Sequence, residues 1–393
     1  MSNICIFNND GFSVIHFRSR LIKDLISNGN TVTVLVPYSQ YNSKIEDLGA
    51  RVKNIKLSRF NNPISDIYLI LQLYKFFKKE KFDILHNMTI KPNIYGTMVA
   101  YYLGINRIVC LVSGAGYIFS DNVGYIDKLV KKITLSLYRF SMNFCNKIWF
   151  QNQEDRDEFV NKNIIDYEKS VVIRSSGVDL QKYDMNNIDA RKMKFWRGRF
   201  AIKPDDKVVL MVAARLIKAK GVVDFIEAAT CFEQRNIDCK FILIAPCEKN
   251  SHDEISPSLF QDSSLKNFIY YSDFIDDIHN VIAMADIVTL PSYYREGVPR
   301  ILLEAMSLSK PIITTNSIGC RETVNDGYNG FIVNPKDSIG LAIKIEELIS
   351  SNDLLRAFGN NSRKMAVKEF GDKSVSKKVL SELYLITNEM VNE

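Results

Sequence analysis

Short β-branched runs alternate with longer helical stretches along the whole chain. In the first half the predicted strands are 3–7, 31–36, 83–86, 107–112, 147–150 and 170–173. In the second half the pattern restarts, and the predicted strands are 207–213, 239–245, 267–271, 286–290, 311–315 and 330–333. Apolar runs separated by helices are typical of parallel sheets that helices cover on both faces. The pattern therefore predicts an α/β chain with two doubly wound, Rossmann-like domains.

A polar, charged segment separates the two sets of strands, as expected of an interdomain connection. The predicted boundaries are 1–180 for an N-terminal domain, 181–206 for a linker, 207–370 for a second domain and 371–393 for a C-terminal helix. This helix can pack back on the first domain through residues at helical spacing, namely Val375, Val379, Leu383 and Ile386. Open α/β sheets bind ligands beyond the carboxyl ends of their strands, so we expect the substrate in a central cleft between two facing sheets.

Composition and charge are those of a soluble globular protein with one basic half. The chain has 393 residues, 46% hydrophobic and 24% charged, and its formal net charge is +6. Residues 1–180 carry 23 Lys and Arg against 16 Asp and Glu, whereas residues 181–393 carry 28 against 29. Basic surfaces attract anionic membranes, nucleic acids or phosphorylated substrates, so the asymmetry indicates a partner of the first domain. A solvated surface without a partner is the alternative.

Cysteine usage and the N-terminal sequence indicate a reducing, cytoplasmic location. Seven cysteines are scattered without a CxxC pair, and an odd count does not suit a closed disulfide framework. The first ten residues, MSNICIFNND, lack the basic and apolar regions of a signal peptide. No uncharged apolar run reaches the roughly 18–20 residues of a spanning helix, so we expect no transmembrane anchor.

Common cofactor motifs are absent from the sequence. There is no GxxxxGK[ST] loop, and the nearest approach to GxGxxG, GAGYIF at 114–119, has Phe119 in place of the third glycine. The four histidines are dispersed and no HExxH or Cys/His cluster exists, so we expect no metal and no bound cofactor. The acidic residues of DRD at 155–157 favour the start of a helix over a cation site.

Two cations follow the first strand of the second domain. In the stretch AARLIKAKG at 213–221, Arg215 and Lys220 leave the carboxyl end of strand 207–213 on one short loop. A guanidinium fork together with an ammonium group suits a diphosphate leaving group without a metal. Taken alone, two solvated loop cations are the simpler interpretation.

A carboxylate in an apolar helix marks the other side of this predicted site. Pro299 fits the first turn of a helix over 299–308, and the free N–H groups before it suit an anion. Because this helix is apolar nearly all round, Glu304 needs hydrogen-bond donors, and ribose hydroxyls are suitable. Glu296 lies just before the helix, where it can accept hydrogen bonds or stabilise positive charge. An Arg300–Glu304 pair at i,i+4 is the alternative explanation for Glu304.

Three motifs of the second domain occur in one order and spacing: RLIKAKG at 215–221, EGVPRILLEAM at 296–306 and GCRETVNDGYNGFIV at 319–333. They resemble retaining glycosyltransferases of family four, which have the GT-B fold. The first domain resembles this family more loosely, through TIKPNIYG at 89–96, GAGYIF at 114–119 and RSSGVDLQKY at 174–183. The phrases PSYYREGVPR, TIKPNIYG and SGAGYIFSD are similar to bacterial enzymes that add N-acetylhexosamines, especially N-acetylgalactosamine, to sugars on undecaprenyl diphosphate.

The resemblance implies roles for individual residues. Arg215 and Lys220 would bind the nucleotide diphosphate, Glu304 the ribose, and Glu296 the donor sugar near its reacting centre. Glu296, Arg215 and Lys220 are thus the expected catalytic residues, and the further donor-binding residues implied are Gly11, Gly297, Val298, Pro299 and Arg300. The family needs no metal, and the leaving diphosphate acts as base in a same-face attack that retains the anomeric configuration. The chain departs from the family pattern where Gly11 stands alone instead of in a glycine pair, and where CLVSGAGY has no histidine.

The basic first domain would meet a lipid-linked acceptor at a membrane. Over 125–147, apolar and aromatic residues interleave with cations, as in a helix lying on an anionic membrane: Lys128, Lys131, Lys132, Arg139 and Lys147. An ordinary core-facing helix with solvated lysines is the alternative. The candidates for the acceptor side are His16, Arg18, His86, Lys91, Gly114 and Gly116. A structural role is the alternative for each.

These patterns together predict a GT-B enzyme, peripheral to the inner face of the cell membrane, that transfers a sugar from UDP to a lipid-diphosphate-linked saccharide. A nucleotide-sugar epimerase of similar fold stays open as the rival enzyme. A basic nucleic-acid-binding protein is disfavoured, because the sequence has no recognition motif and no evident aromatic stacking platform.

Overall fold

The computed structural model of the chain describes residues 1–58, 62–114, 125–247, 253–261, 265 and 268–386, and side chains outside 125–131. The chain divides into two compact units, Met1–Ser176 with the segment from Lys373 onward, and Gly177–Asp372. Each unit has its own parallel sheet, and each is described by itself. Within these described ranges, no helix combines the length and apolar character needed to cross a membrane.

The first unit is built on a parallel sheet of seven described strands. The strands are β1 (Asn3–Phe7), β2 (Thr31–Val36), β3 (Arg51–Asn54), β4 (Ile84–Met88), β5 (Arg107–Val112), β6 (Lys147–Phe150) and β7 (Ser170–Val172). They lie in the order β3-β2-β1-β4-β5-β6-β7, so the strand order reverses between β1 and β4. The helices are α1 (Gly11–Ser27), α2 (Asn42–Glu46), α3 (Pro63–Glu80), α4 (Thr97–Tyr102), α5 (Tyr125–Met142) and α6 (Gln153–Asn161).

The second unit opens with helix α7 (Ala190–Arg199) and has a parallel sheet of six described strands. The strands are β8 (Val208–Val212), β9 (Lys240–Ile244), β10 (Ile269–Ser272), β11 (Ile287–Leu290), β12 (Ile312–Thr315) and β13 (Gly330–Val333), in the order β10-β9-β8-β11-β12-β13. The helices are α8 (Val222–Gln234), α9 (Ile278–Met284), α10 (Arg300–Ser307), α11 (Ser338–Ile349) and α12 (Asn352–Met365). Helix α13 (Asp372–Val379) then carries the chain back into the first unit.

Every predicted strand coincides with an observed one, and the predicted class of two Rossmann-like α/β domains is confirmed. The pattern missed β3. Its sequence RVKN has a single apolar side chain, Val52, and the strand lies at the sheet edge with three of its residues exposed. The prediction relied on apolar runs, and an edge strand pairs on one side only and need not be apolar.

Alternate residues of the same strand bury both faces of the first sheet. Cys5 and Phe7 of β1 pack on one face, in a cluster that includes Phe77 of α3. Ile4 and Ile6 pack on the other face with residues of α1. Side chains alternate across a strand, so a strand covered on both faces reads as one continuous apolar run.

The segment 181–206, which the sequence predicts as a linker, lies within the second unit. Tyr183, Phe200 and Ile202 are buried in the core of that unit. Trp196 of α7 donates a hydrogen bond from Nε1 to Asp277 Oδ2 at 3.1 Å. A few widely spaced aromatic residues anchor this segment to the core. Its otherwise charged composition is the reason that the sequence pattern predicted a linker.

The C-terminal segment packs on the first unit through α13 and the turn after it. Val375, Val379 and Leu383 are buried in the same cluster as Ile4 and Ile6 of β1. These three residues have the helical spacing that the sequence shows, so one face of the segment covers the sheet.

A buried hydrogen bond fastens this segment to the centre of the sheet. The hydroxyl of Tyr384 lies 2.6 Å from Nδ1 of His86 in β4, and both side chains are buried. Burial, and then the positive charge of Arg18, lower the pKa of His86 to about 3. The ring is therefore neutral at pH 7, and Nε2 has no hydrogen-bond partner among the described residues.

We expect Tyr384→Phe to lower the free energy of unfolding by about 1–3 kcal/mol, because His86 Nδ1 then loses its partner inside the core. Tyr38→Phe is the matched control, since Tyr38 is 82% exposed, and it should change stability by less than about 0.5 kcal/mol. Urea denaturation followed by circular dichroism measures both. A Tyr384→Phe variant as stable as the control would contradict the role of this hydrogen bond.

Candidate active site

The strand order of the second sheet reverses between β8 and β11, which are paired neighbours. Ligands of open α/β sheets bind beyond the carboxyl ends of the strands at such a switch point. Arg215 and Lys220 follow β8, and Glu296 follows β11. The three residues predicted to be catalytic therefore leave the sheet at one place.

Backbone contacts join the two loops that leave β8 and β11. The amide groups of Tyr293 and Tyr294 both donate to the carbonyl oxygen of Ala219, at 3.0 and 2.9 Å. Gly221 has a φ of 79°, and a Cβ atom there would lie 2.1 Å from the carbonyl oxygen of Pro291. Since only glycine combines this φ with so close an approach, Gly221 allows the loops to cross at contact distance.

The crossing brings the three charged side chains together. Lys220 Nζ donates to Glu296 Oε1 at 2.7 Å, and Lys220 is only 5% exposed. Ser292 Oγ donates to the same oxygen at 3.2 Å. The guanidinium carbon of Arg215 and the Nζ of Lys220 lie 4.8 and 5.2 Å from the ring centre of Tyr294. Both cations therefore lie within cation–π distance of one aromatic ring.

Sequence reasoning missed Ser292, Tyr294 and the ion pair itself. It assigned Lys220 to a phosphate and Glu296 to a sugar, and the structure pairs these two side chains with each other. The available signal was the run PSYYREG, in which polar and aromatic residues follow directly on a buried strand. Which of them would face the loop after β8 depends on the crossing of the two loops.

The carboxylate of Glu304 lies on α10 and is paired within that helix. The helix begins at Arg300, so Pro299 is its N-cap and not a first-turn residue as predicted. Glu304 is 7% exposed, and Arg300 Nε donates to its Oε1 at 2.8 Å, so the i,i+4 pair considered from the sequence is present. Burial, and then the Glu304 carboxylate, raise the pKa of Tyr183. Val298, just before the helix, is buried in the core.

The loop after β12 supports the backbone next to Glu296. Gly319 has a φ of 84°, and a Cβ atom there would lie 2.2 Å from the carbonyl oxygen of Gly297 and 2.5 Å from that of Glu296. Ser317 Oγ donates to the carbonyl oxygen of Ser292 at 2.7 Å. Two of the three motifs that carry the family resemblance therefore meet at this backbone.

Arg18 and His86, two of the acceptor candidates, meet at one aromatic residue of the first unit. Arg18 is 4% exposed, and its guanidinium carbon lies 4.8 Å from the ring centre of Trp149. The ring centre of His86 lies 6.2 Å from that of Trp149. Both side chains belong to the interior of the unit, and neither offers much surface to a ligand.

The other acceptor candidates have different surroundings. The ring of His16 lies 4.1 Å from that of Phe12 on the same helix. Lys91 Nζ donates to Asp66 Oδ1 of α3 at 2.6 Å. His16 therefore lies in the second turn of α1, and Lys91 lies beside α3.

The glycines of the first unit are placed as follows. Gly11 starts α1, and a Cβ atom there would lie 2.6 Å from Ser39 Oγ, so a side chain would crowd this turn. Gly114 lies just beyond the end of β5. Gly116 lies outside the described residues.

Helix α5 and the strand after it carry the basic segment that the sequence predicts for a membrane. Arg139 Nε and Lys147 Nζ donate to backbone carbonyl oxygens at 3.0 and 2.9 Å. Lys132 is exposed, and the side chains of Lys128 and Lys131 lie outside the described part. Arg139 and Lys147, two of the cations predicted for the membrane surface, are therefore hydrogen-bonded to the backbone of neighbouring segments.

Comparison with known proteins identifies the class of enzyme. Residues 192–365 match the family Glycosyl transferases group 1, and residues 3–152 match the family Glycosyl transferase 4-like. The chain is a glycosyltransferase that carries both family domains. The first match includes Arg215, Lys220, Glu296 and Glu304, the residues that led to the predicted resemblance. The nucleic-acid-binding alternative is set aside.

Relatives of this glycosyltransferase span nearly its whole length. The N,N'-diacetylbacillosaminyl-diphospho-undecaprenol alpha-1,3-N-acetylgalactosaminyltransferase of Campylobacter jejuni is 29% identical over 93% of this chain and 94% of its own. The UDP-Gal:alpha-D-GlcNAc-diphosphoundecaprenol alpha-1,3-galactosyltransferase of Escherichia coli is 27% identical over 82% of this chain and 80% of its own. The crystal structure of Anabaena HepE in complex with UDP-glucose is 18% identical and covers 98% of this chain and 100% of that one, with a TM-score of 0.80. This structural likeness shows the fold, which is GT-B.

We expect Glu296→Gln to lower the free energy of unfolding of the glycosyltransferase by about 3 kcal/mol, because it leaves the buried Lys220 ammonium without a counter-charge. Glu346→Gln is the matched control: it breaks the 2.6 Å pair with the exposed Arg235 and should cost much less. Thermal and urea denaturation measure both variants. Equal losses would show that the Lys220–Glu296 pair behaves like a surface pair.

Proposed function

We propose that this glycosyltransferase moves N-acetylgalactosamine or another N-acetylhexosamine from a UDP-sugar to a saccharide on polyprenyl diphosphate, in bacterial surface polysaccharide or glycan assembly. The two relatives described above are named for transfer onto undecaprenyl-diphosphate-linked sugars, and one name includes the donor UDP-Gal. The observation that carries the proposal is the meeting of Arg215, Lys220 and Glu296 at the switch point of the second sheet.

Arg215 and Lys220 would hold the diphosphate of the donor. Both cations lie over the ring of Tyr294, so one diphosphate can reach the guanidinium and the ammonium together. Lys220 is buried, and a charge in such a place is screened less by water than a surface charge. These cations would therefore stabilise the negative charge that grows on the departing UDP.

Glu296 would face the donor sugar. Its Oε1 accepts hydrogen bonds from Lys220 and Ser292, and Oε2 has no hydrogen-bond partner among the described residues. Oε2 can therefore accept a bond from a sugar hydroxyl or lie close to positive charge at the anomeric carbon. No covalent nucleophile is required, because the leaving diphosphate takes the proton of the acceptor hydroxyl on the same face, with retention.

The remaining donor contacts follow from α10. Glu304 would accept hydrogen bonds from the ribose hydroxyls while Arg300 holds its Oε1. The backbone around Gly297 and Val298, supported by Gly319, would line the sugar and phosphate oxygens. Gly11, the first residue of α1, would be the further donor contact that the family resemblance implies.

The first unit would bind the acceptor on the cytoplasmic side of the membrane. A lipid-linked diphosphate stays at the bilayer, so the enzyme must work at that surface. The excess of 23 Lys and Arg over 16 Asp and Glu in residues 1–180 favours an anionic membrane. Lys91 is the acceptor candidate that follows β4, the strand next to the strand-order reversal of this unit, and its ammonium is paired with Asp66 of α3.

We expect the protein to release UDP from UDP-N-acetylgalactosamine only when a polyprenyl-diphosphate-linked saccharide is present, because transfer consumes both substrates. Glu296→Ala should lower kcat by about 100-fold or more, as for other groups that act on a charged transition state. Coupled detection of UDP, with product analysis by mass spectrometry, measures this. Interconversion of UDP-sugars without net UDP would indicate an epimerase, and full turnover by Glu296→Ala would remove that residue from the mechanism.

We expect EDTA to leave the rate within about twofold of the untreated enzyme, because Arg215 and Lys220 supply the positive charge that a metal supplies elsewhere. The product should keep the anomeric configuration of the donor, which proton NMR reads from the coupling of the new anomeric proton. Loss of activity in EDTA that Mg²⁺ or Mn²⁺ restores would contradict the metal-independent mechanism.

A further inference from the structure

The geometry points to one specific docking surface for an anionic membrane: the outer face of α3, defined as Ile64, Ile67, Tyr68, Leu71, Lys75, Lys78 and Lys79. The inference rests on the proposed function, since a lipid-linked acceptor is what brings the enzyme to a bilayer. It names the surface that the charge asymmetry of the first half left undefined. It also differs from the segment 125–147 that the sequence indicated.

The first half of this face is apolar and exposed. Ile64, Ile67, Tyr68 and Leu71 follow the i, i+3, i+4, i+7 spacing of one helical face, and they are 81, 61, 50 and 53% exposed. The opposite face of α3, with residues such as Leu69, packs in the core. Surface helices of soluble proteins normally place polar residues on the side away from the core, so this stripe calls for a partner.

The second half of the same face is basic. Lys75, Lys78 and Lys79 continue the stripe by one and two turns beyond Leu71, and all three are exposed. None of them forms a salt bridge with a carboxylate in the part of the chain that the structure describes. The surrounding segment 51–100 has nine Lys and Arg against three Asp and Glu. One of those acids, Asp66, is already engaged by Lys91.

Aromatic side chains extend the surface onto α4 and onto the turn that follows α5. Tyr102 is exposed, and its ring centre lies 6.1 Å from that of Tyr74 on α3. Tyr101 is also exposed and stacks on Phe144 at 4.2 Å. Tyrosine favours the membrane interface, where its ring is in an apolar layer and its hydroxyl is in water.

A bilayer surface fits this combination better than a protein does. The centre of a protein interface is depleted of lysine, whereas an interfacial helix combines apolar residues with lysines that reach the lipid phosphates. Helix α3 lies along the surface of its unit, because Leu69, Leu73 and Phe77 hold its other side in the core. Its apolar first half would enter the interface and its lysines would rest on anionic headgroups.

The test is binding to vesicles by flotation, without any sugar substrate. Three variants of the full chain are compared with the native protein: Ile64→Ser with Ile67→Ser and Leu71→Ser, Lys75→Glu with Lys78→Glu and Lys79→Glu, and the control Ile339→Ser with Ile343→Ser. The control removes two exposed isoleucines one turn apart on α11. All three sets are exposed side chains, so folding, checked by circular dichroism, should be unchanged.

We expect the native protein to bind phosphatidylcholine vesicles that contain phosphatidylglycerol, and the apolar variant to bind them about tenfold or more weakly. The lysine variant should lose the preference for phosphatidylglycerol, and the control should bind like the native protein. Transfer to a short-chain, water-soluble acceptor should be equal in all four proteins, which separates this inference from the proposed function.

Native binding by the apolar variant would overturn the inference. So would a native dimer that the apolar substitutions dissociate while vesicle binding persists, because the stripe would then be a contact between copies of the chain. Light scattering reads that outcome. If no protein transfers sugar but vesicle binding follows the expected order, the docking surface stands and the proposed function fails.

Discussion

Parallel pairing is the constraint on which the candidate site depends. A parallel sheet places the carboxyl ends of all its strands at one edge, and β8 and β11 are neighbours there, with Val209 opposite Ile287. The loops that leave these strands therefore start side by side. Two backbone donations to Ala219 and the close approach at Gly221 then hold the loops in contact. The cations of the loop after β8 and the carboxylate of the loop after β11 can meet only because both loops start at this edge of the sheet.

The Lys220–Glu296 pair gives the site its electrostatic character. A buried ion pair contributes little net stability, because desolvation offsets most of the attraction, so its value lies in the positions that it fixes. Lys220 is held by Glu296 and by the ring of Tyr294, which also carries Arg215. In the proposed reaction the Lys220 ammonium pairs with the donor diphosphate as well as with Glu296. The cations then need little rearrangement as charge develops on the leaving group.

In the first unit, the polar residues of the interior and the residues of the exposed surface have different roles. His86 and Arg18 look like functional residues in the sequence, and in the structure they are buried around Trp149, with His86 neutral and bonded to Tyr384. His86 therefore helps to hold the C-terminal segment to the sheet, whereas Arg18 contacts Trp149 and Met88 inside the unit. The exposed side of α3 carries the opposite combination, with apolar groups in water followed by lysines. The proposed binding to lipid therefore involves the face of α3 that does not pack in the core.

Apolar runs indicated the fold, because strands buried on both faces are apolar at most positions, and each run predicted as a strand is a strand in the structure. The motif EGVPRILLEAM with the cations Arg215 and Lys220 also identified the correct class of enzyme from the sequence. Tertiary structure alone decided that Lys220 pairs with Glu296, that Tyr294 lies beneath both cations, and that 181–206 packs within the second unit. It also decided which apolar residues of α3 face water, because PISDIYLILQLYKFF is apolar on both sides of the helix. The periodicity of a sequence predicts the secondary structure of each segment, whereas contacts between loops depend on which strands pair with each other.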